Sequence, residues 1–213
     1  MNRGCFVTFE GIDGCGKSTQ AKSLARRLSR DNFPVVETRE PGGTAIAENI
    51  RSILIDPAYG EMVNECELLL YLAARAQHVR ERIIPAVEKK NIVICDRFQD
   101  ATFAYQGFGR TLSLAVLRSL NSFATGGCTP DITFIIDLPV EVASARMSAM
   151  KKKQDRLEAC GSEFFGRIRN GYRELAVAEP SRIRVIDGTA SPESIADQVY
   201  STFISRLNTE AFL

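Results

Sequence analysis

The sequence predicts an α/β fold, a five-stranded parallel sheet flanked by helices in three layers and formed as one domain over residues 1–213. Three observations carry this. Short apolar runs alternate with amphipathic helical stretches along the whole chain, the pattern of strands joined by right-handed helical crossovers. Residues 132–138 are almost continuously apolar, as a parallel strand covered on both faces must be. The first apolar run ends in a glycine-rich turn, after which the hydrophobic period changes to that of a helix.

In chain order, residues 5–10 (CFVTFE) form the first strand and stop at Gly11. Ala21, Leu24, Ala25 and Leu28 then follow helical spacing, with Lys22, Arg26 and Arg27 between them. Pro34 introduces a second strand at 35–38, and the loop 39–44 leads to a helix over 45–55. The segment 64–89 reads as one long helix with Leu69, Leu72, Ala76, Val79 and Ile83 on its apolar face, kinked or shortened near Pro85. A strand at 92–96 precedes helices at 98–106 and 112–124. Helices at 140–150 and 162–178, a strand at 183–186 and a last helix at 192–207 complete the pattern. The single shift in composition is the basic run Lys151-Lys152-Lys153-Gln154-Asp155-Arg156, which by itself reads as a solvated helix end.

Composition narrows the function. The 213 residues are 45% hydrophobic and 25% charged, values of an ordinary globular chain. The net charge of +1, from 27 basic and 26 acidic residues, gives no concentrated positive field for non-specific nucleic-acid binding. Six cysteines without a CxxC pair, and one histidine, His78, argue against a zinc site. Their wide spacing fits reduced thiols in a cytoplasmic protein. No signal-peptide pattern and no apolar run of about 18 residues point to export or to a membrane span.

Gly11-Ile12-Asp13-Gly14-Cys15-Gly16-Lys17-Ser18 matches GxxxxGK[ST] at every fixed position. Such a loop turns successive backbone N–H groups onto phosphate, its lysine reaches the β- and γ-phosphates, and its hydroxyl binds Mg²⁺. The helix that follows adds its N-terminal dipole. Asp96, at the end of the strand 92–96, is placed like the acid that helps hold the metal; it could also cap the next helix, and the two roles can coexist. Cys15, inside the loop at a helix N-terminus, is either a thiol of lowered pKa open to alkylation or an inert small residue. A guanine-reading NKxD sequence does not occur.

Four signatures, in order and spacing, closely resemble the bacterial thymidylate kinase family: residues 9–19 (FEGIDGCGKST), 39–44 (REPGGT), 96–98 (DRF) and 104–107 (AYQG). The likeness runs from about residue 5 to about 205. It implies phosphoryl transfer from ATP to dTMP with Mg²⁺, in a homodimer packed through helices, for which the apolar face of 64–89 is a candidate surface unless core packing uses it. It assigns ATP to Gly11, Ile12, Asp13, Gly14, Cys15, Gly16, Lys17, Ser18, Thr19 and the adenine-stacking Arg146. It assigns dTMP to Asp13, Glu40, Pro41, Arg51, Tyr71, Arg75, Arg97, Thr102, Tyr105 and Gln106. Within that set, Asp13 receives the 3′-hydroxyl, Arg51 and Arg97 hold the phosphate, Tyr71 stacks on thymine unless it is simple core, Arg75 bonds a thymine carbonyl, and Tyr105 excludes a ribose 2′-hydroxyl. Ser18 and Asp96 are the implied metal residues. A mobile lid at about 147–160, with Lys151 and Arg156, would join Lys17 and Arg97 in catalysis. The chain departs from many relatives in the lysines at 151–153, in Ala101 and in Phe98. Two other readings stay open: a kinase for another small nucleotide acceptor, and a nucleotide-dependent switch or binding module without turnover.

Overall fold

A computed structural model describes residues 4–149, 156–157 and 160–209. Five strands, β1 (Cys5–Glu10), β2 (Val35–Arg39), β3 (Ile92–Asp96), β4 (Ile132–Asp137) and β5 (Ile183–Asp187), pair in parallel in the order β2-β3-β1-β4-β5. β1 therefore lies in the middle, and all six of its residues are buried. The chain leaves β1 for β2 on one side and reaches β4 on the other. The crevice beyond the carboxyl end of β1 is thus a topological switch point, where ligands bind in open α/β sheets.

Strand alternation divides the core. Cys5, Val7 and Phe9 point into the larger cluster with Ala21, Leu24 and Leu28 of helix α1 (Lys17–Arg30), and Phe9 stacks on Phe134 at 5.3 Å. Phe6 points the other way, against Val79, Ile83, Val93 and Phe98. That second face also carries buried polar groups. Thr8 Oγ1 and Thr133 Oγ1 lie 2.7 Å apart, and Arg182 places its Nη1 and Nη2 on the two Asp100 oxygens at 2.8 and 2.7 Å.

The helix expected over 64–89 is continuous but changes register. Helix α3 (Asn64–His78) passes through a π-helical turn, Val79–Ile83, into helix α4 (Ile84–Glu88). Pro85 supplies no N–H and its ring excludes the usual carbonyl one turn back, so the wider turn absorbs the mismatch. The same happens after β3, where a short helix α5 (Gln99–Thr102) opens into a π-helical segment, Phe103–Gly109. Leu69 corrects the expected apolar face of α3, because it is 57% exposed while Leu68, one residue earlier, is buried with Leu72. The spacing Leu68, Leu72, Val79, Ile83 is the inward one, and the seven-residue step from 72 to 79 brings the stripe to the start of the π turn. Helices α2 (Ala45–Ile55) and α6 (Leu114–Thr125) pack on α3. Helix α7 (Val140–Ala149) follows β4, α8 (Gly161–Ala178) packs on the segment Phe103–Gly109, and α9 (Pro192–Thr209) packs on α1. No helix among the described residues is long and apolar enough to cross a membrane.

Asp100 is fully buried opposite Arg182. Asp100→Ala leaves that guanidinium without its main carboxylate and is expected to cost about 3 kcal/mol of unfolding free energy. Urea denaturation at pH 7 measures this, and a loss under about 1 kcal/mol would show that Glu179 alone compensates Arg182.

Candidate active site

The glycine-rich turn follows β1 directly and feeds α1, whose N-cap, Gly16, makes no side-chain hydrogen bond to the first turn. The helix N-terminus borders a cavity that Gly16, Lys17, Ser18 and Thr19 line, and its dipole favours an anion there. Gly14 sits at φ 82°, and a Cβ there would come within 2.6 Å of the Ala143 carbonyl on α7. Only glycine lets the loop lie this close to the helix that forms the opposite wall. The cavity between them is lined by Ile12, Asp13, Gly14, Gly16, Lys17, Ser18 and Thr19, and across from them by Val140, Ala143, Ser144, Met147, Ser148 and Phe165. Arg146 leaves the same helix and donates to the Gly188 carbonyl at 3.3 Å.

A second cavity opens on the other side of Asp13. Its lining includes every residue expected to contact the acceptor: Asp13, Glu40, Pro41, Arg51, Tyr71, Arg75, Arg97, Thr102, Tyr105 and Gln106. Ile55, Phe98, Ala101 and Leu157 complete it. Tyr71 is half-buried, packed against the core at its edge while it faces the cavity, so core packing does not remove it from the cavity wall.

Asp13 is the wall shared by both cavities. Its Oδ1 pairs with Lys17 Nζ at 3.1 Å and with Arg97 Nη2, and its Oδ2 accepts from Tyr105 Oη at 2.8 Å. Burial works to raise the Asp13 pKa, but the charges of Arg97 and Lys17 outweigh it and hold the carboxyl well below the usual range. Arg97 follows β3 with φ 71°, a left-handed backbone that a side chain normally avoids. That conformation is over-determined: its N–H bonds the Phe9 carbonyl at 2.9 Å and its Nη1 bonds the Gly11 carbonyl at 3.0 Å.

Ser18 Oγ donates to Asp96 Oδ2. Helix α5 begins at Gln99 with Phe98 as its cap position, so Asp96 does not cap that helix. Asp96 Oδ1 is buried without a hydrogen-bond partner among the described residues, which leaves an anionic acceptor beside the serine hydroxyl. Cys15 is 1% exposed, and burial pushes its thiol up against the opposing pull of Lys17. Of the two readings of Cys15, this favours the inert small residue. The sulfur is packed behind the loop, 2.8 Å from where a Gly11 Cβ would stand, and does not line the phosphate cavity.

Arg156 is not brought over Lys17. Its Nη2 lies 2.6 Å from Glu67 Oε2 on α3, and its Nε donates to the Leu54 carbonyl at 3.0 Å. Lys151 falls outside the described residues. Sequence reasoning missed Glu67, a buried carboxylate that also accepts from Gln106 and Arg110. It also missed Glu10 and Tyr172 as supports of Arg97. Tyr172 Oη donates to Glu10 Oε2 at 2.9 Å and lies 3.3 Å from Arg97 Nη1, while Glu10 Oε1 accepts from the Phe98 N–H at 2.7 Å. The carboxylate that ends the first strand, Glu10, was visible in the sequence, but its partners were not.

The sequence profile of the thymidylate kinase family matches residues 9–199. The chain belongs to the thymidylate kinase family. Among curated thymidylate kinases, that of Kosmotoga olearia is 51% identical over 93% of this chain and 95% of its own length. That of Geotalea daltonii is 47% identical over 96% and 99%. The crystal structure of the Ehrlichia chaffeensis thymidylate kinase superposes with a TM-score of 0.77 at 36% identity, covering 94% of this chain and 98% of that one. The all-parallel sheet and the phosphate loop after its central strand are those of this family's fold, the P-loop NTPase fold.

Burial, with the Asp100 charge adding to it, raises the Glu10 pKa from the ordinary 4.5 to about 8. Between these values the folded state holds a proton that the unfolded state has lost, so stability falls as pH rises from about 4.5 to about 8 and levels off above. In Glu10→Gln that part of the slope is expected to vanish. Denaturation midpoints at pH 5.5 and 8.0 check it, and equal slopes in both proteins would exclude a titrating Glu10.

Proposed function

We propose that the chain transfers the γ-phosphoryl group of ATP to dTMP, giving dTDP and ADP. The observation that carries this reading is the pair of cavities that meet at Asp13, one lined by the phosphate loop and the other by Tyr71, Arg75, Arg97 and Thr102. A donor in the first and a nucleoside monophosphate in the second would bring their phosphates together beside Lys17 and Arg97. Little covalent chemistry is left for the protein. It positions an acceptor that is already an anion and neutralises charge spread over the transferred oxygens.

In this reading, the phosphate-loop N–H groups and Lys17 hold the donor phosphates, and Arg146 lies along the adenine. Arg51 and Arg97 hold the acceptor phosphate in line. Arg51 comes from α2 and donates to the Pro41 carbonyl at 3.0 Å, which orients it along the loop edge. Asp13 and Tyr105 meet the deoxyribose, where the ring of Tyr105 leaves no room for a 2′-hydroxyl. Tyr71 stacks on the base, while Arg75, Thr102 and Gln106 read its edge. Ser18 and the open acceptor on Asp96 would hold Mg²⁺ or its water shell, and the ion would supply neutralising charge to the donor phosphates. The lid at about 147–160 would bring Lys151 or Arg156 to the transferred group. For Arg156 this requires release from Glu67.

The same reading makes the chain one domain and a homodimer in the cytoplasm. Six free cysteines fit a reducing compartment. Ile46 and Ile53 on α2, Leu69 on α3, and Val116 and Phe123 on α6 are exposed on three helices that pack side by side. Exposed apolar side chains on neighbouring helices support an interface there. Leu69→Glu is expected to shift the protein from dimer to monomer in sedimentation velocity, whereas an unchanged dimer would place the interface elsewhere.

The reaction is tested by ADP release from ATP and Mg²⁺ with dTMP, dUMP, dCMP, dGMP or thymidine as separate acceptors. Strong stimulation by dTMP, with dTDP formed, is the expected outcome. Another preferred acceptor would retain the kinase and refute the base-reading roles, and no stimulation would favour a binding module. Arg97→Ala is expected to lower kcat/KM by at least about 100-fold, as loss of a charge stabiliser at the reacting oxygens does.

A further inference from the structure

The one histidine of the chain has no place in the phosphoryl-transfer chemistry, yet it is fully buried beside the acceptor cavity. His78 ends α3 with no exposed surface. Its Nδ1 lies 2.9 Å from Glu40 Oε1 and its Nε2 lies 2.6 Å from Thr38 Oγ1 on β2. A carboxylate only accepts, so Nδ1 carries the proton that faces Glu40, and the Thr38 hydroxyl can serve Nε2. The ring also bears on the loop that follows β2. A Cβ on Gly43, at φ 87°, would stand 2.5 Å from Nε2, so only glycine lets the backbone rest on the imidazole.

The consequence lies at Arg75. A carboxylate beside an arginine ordinarily takes two parallel N–H bonds. Arg169 and Asp137 do so here through Nε and Nη2, at 2.7 and 3.0 Å. Glu40 does not. Its Oε2 accepts from Arg75 Nε at 2.7 Å, but its Oε1 is turned to His78. Arg75 Nη1 donates to Thr102 and Asn121, and Nη2 to the Phe98 carbonyl. Among the described residues four of the five guanidinium N–H groups are thus used, and one on Nη2 remains for a ligand in the cavity that Arg75 lines.

We propose that His78 is a positioning residue for acceptor recognition: by holding one oxygen of Glu40, it keeps that carboxylate from closing on both Nε and Nη2 of Arg75 and so preserves the donor that meets the ring carbonyl of the pyrimidine. This rests on the reading of Arg75 as a base-reading residue. Without the His78 bond, Oε1 is a buried anionic oxygen with no donor, a costly state. It is relieved by rotation onto Nη2, at the expense of the ligand.

The test compares His78→Asn, whose amide nitrogen falls near Nδ1, with His78→Gln, whose amide reaches towards Nε2. Glutamine is expected to raise the KM for dTMP about tenfold, the size of one lost hydrogen bond. It should leave kcat and the KM for ATP within about twofold, and asparagine should restore most of the dTMP affinity. Equal KM values for dTMP in the two variants, or a loss falling equally on ATP, would overturn the proposal. Thr38→Val keeps the ring and its bond to Glu40 and is expected to stay within about threefold of the parent for dTMP. A tenfold rise there would assign the effect to packing against β2 and refute the proposal, even if a His78 variant did not fold. Arg75→Ala separates the two readings. If it leaves the KM for dTMP unchanged, the base-reading role itself fails. If it raises that KM while His78→Gln does not, only the role of His78 fails.

Discussion

One carboxylate, on Asp13, ties the structure together. It stands on the phosphate loop, between two cavities, and takes Lys17, Arg97 and Tyr105 from three different elements. A partly buried charge of this kind is held in place by its ion pairs and hydrogen bonds. The pairing therefore fixes more than the carboxylate. It sets the end of β3 against the end of β1, and it sets the segment Phe103–Gly109 against both.

The supports of Arg97 continue this logic inward. Glu10 closes β1 and accepts from the Phe98 N–H and from Tyr172, which in turn meets Arg97. Three elements remote in sequence converge on one guanidinium, and its left-handed backbone is held by bonds to Phe9 and Gly11. Such geometry costs stability locally and is kept where position matters more. The buried pairs of Glu40 with Arg75, Glu67 with Arg156, and Asp100 with Arg182 belong to the same economy. They are weak sources of stability compared with apolar packing, but breaking one leaves a buried charge uncompensated.

The two π-helical turns change side-chain register, and the second lines the acceptor cavity. After α3, the wider turn follows His78 and accommodates Pro85 without breaking the helix. After α5, it carries Tyr105 and Gln106, both buried and both lining the cavity. A regular helix would rotate residues after the turn by about 100° per residue, so the register change alters which side chains face inward. Wide turns of this kind recur at functional sites.

The sequence by itself determined the α/β class, the strands and the phosphate loop, because those depend on hydrophobic period and on residues adjacent in the chain. Gly14, Gly16, Lys17 and Ser18 act within one turn, and their spacing is their geometry. The acceptor residues were legible only through resemblance. Nothing in the local pattern of Arg51, Tyr71 or Thr102 says that they share a cavity. The register of the helical segments at 64–88 and 99–109 was decided by tertiary packing, and Leu69 was misplaced for that reason. Glu10, Glu67, His78 and Tyr172 were beyond reach, since their partners lie far along the chain, 162 residues apart for Glu10 and Tyr172. Periodicity reports which face of an element avoids water. It does not report which buried polar atoms meet, because that depends on how the elements are brought together across the sheet.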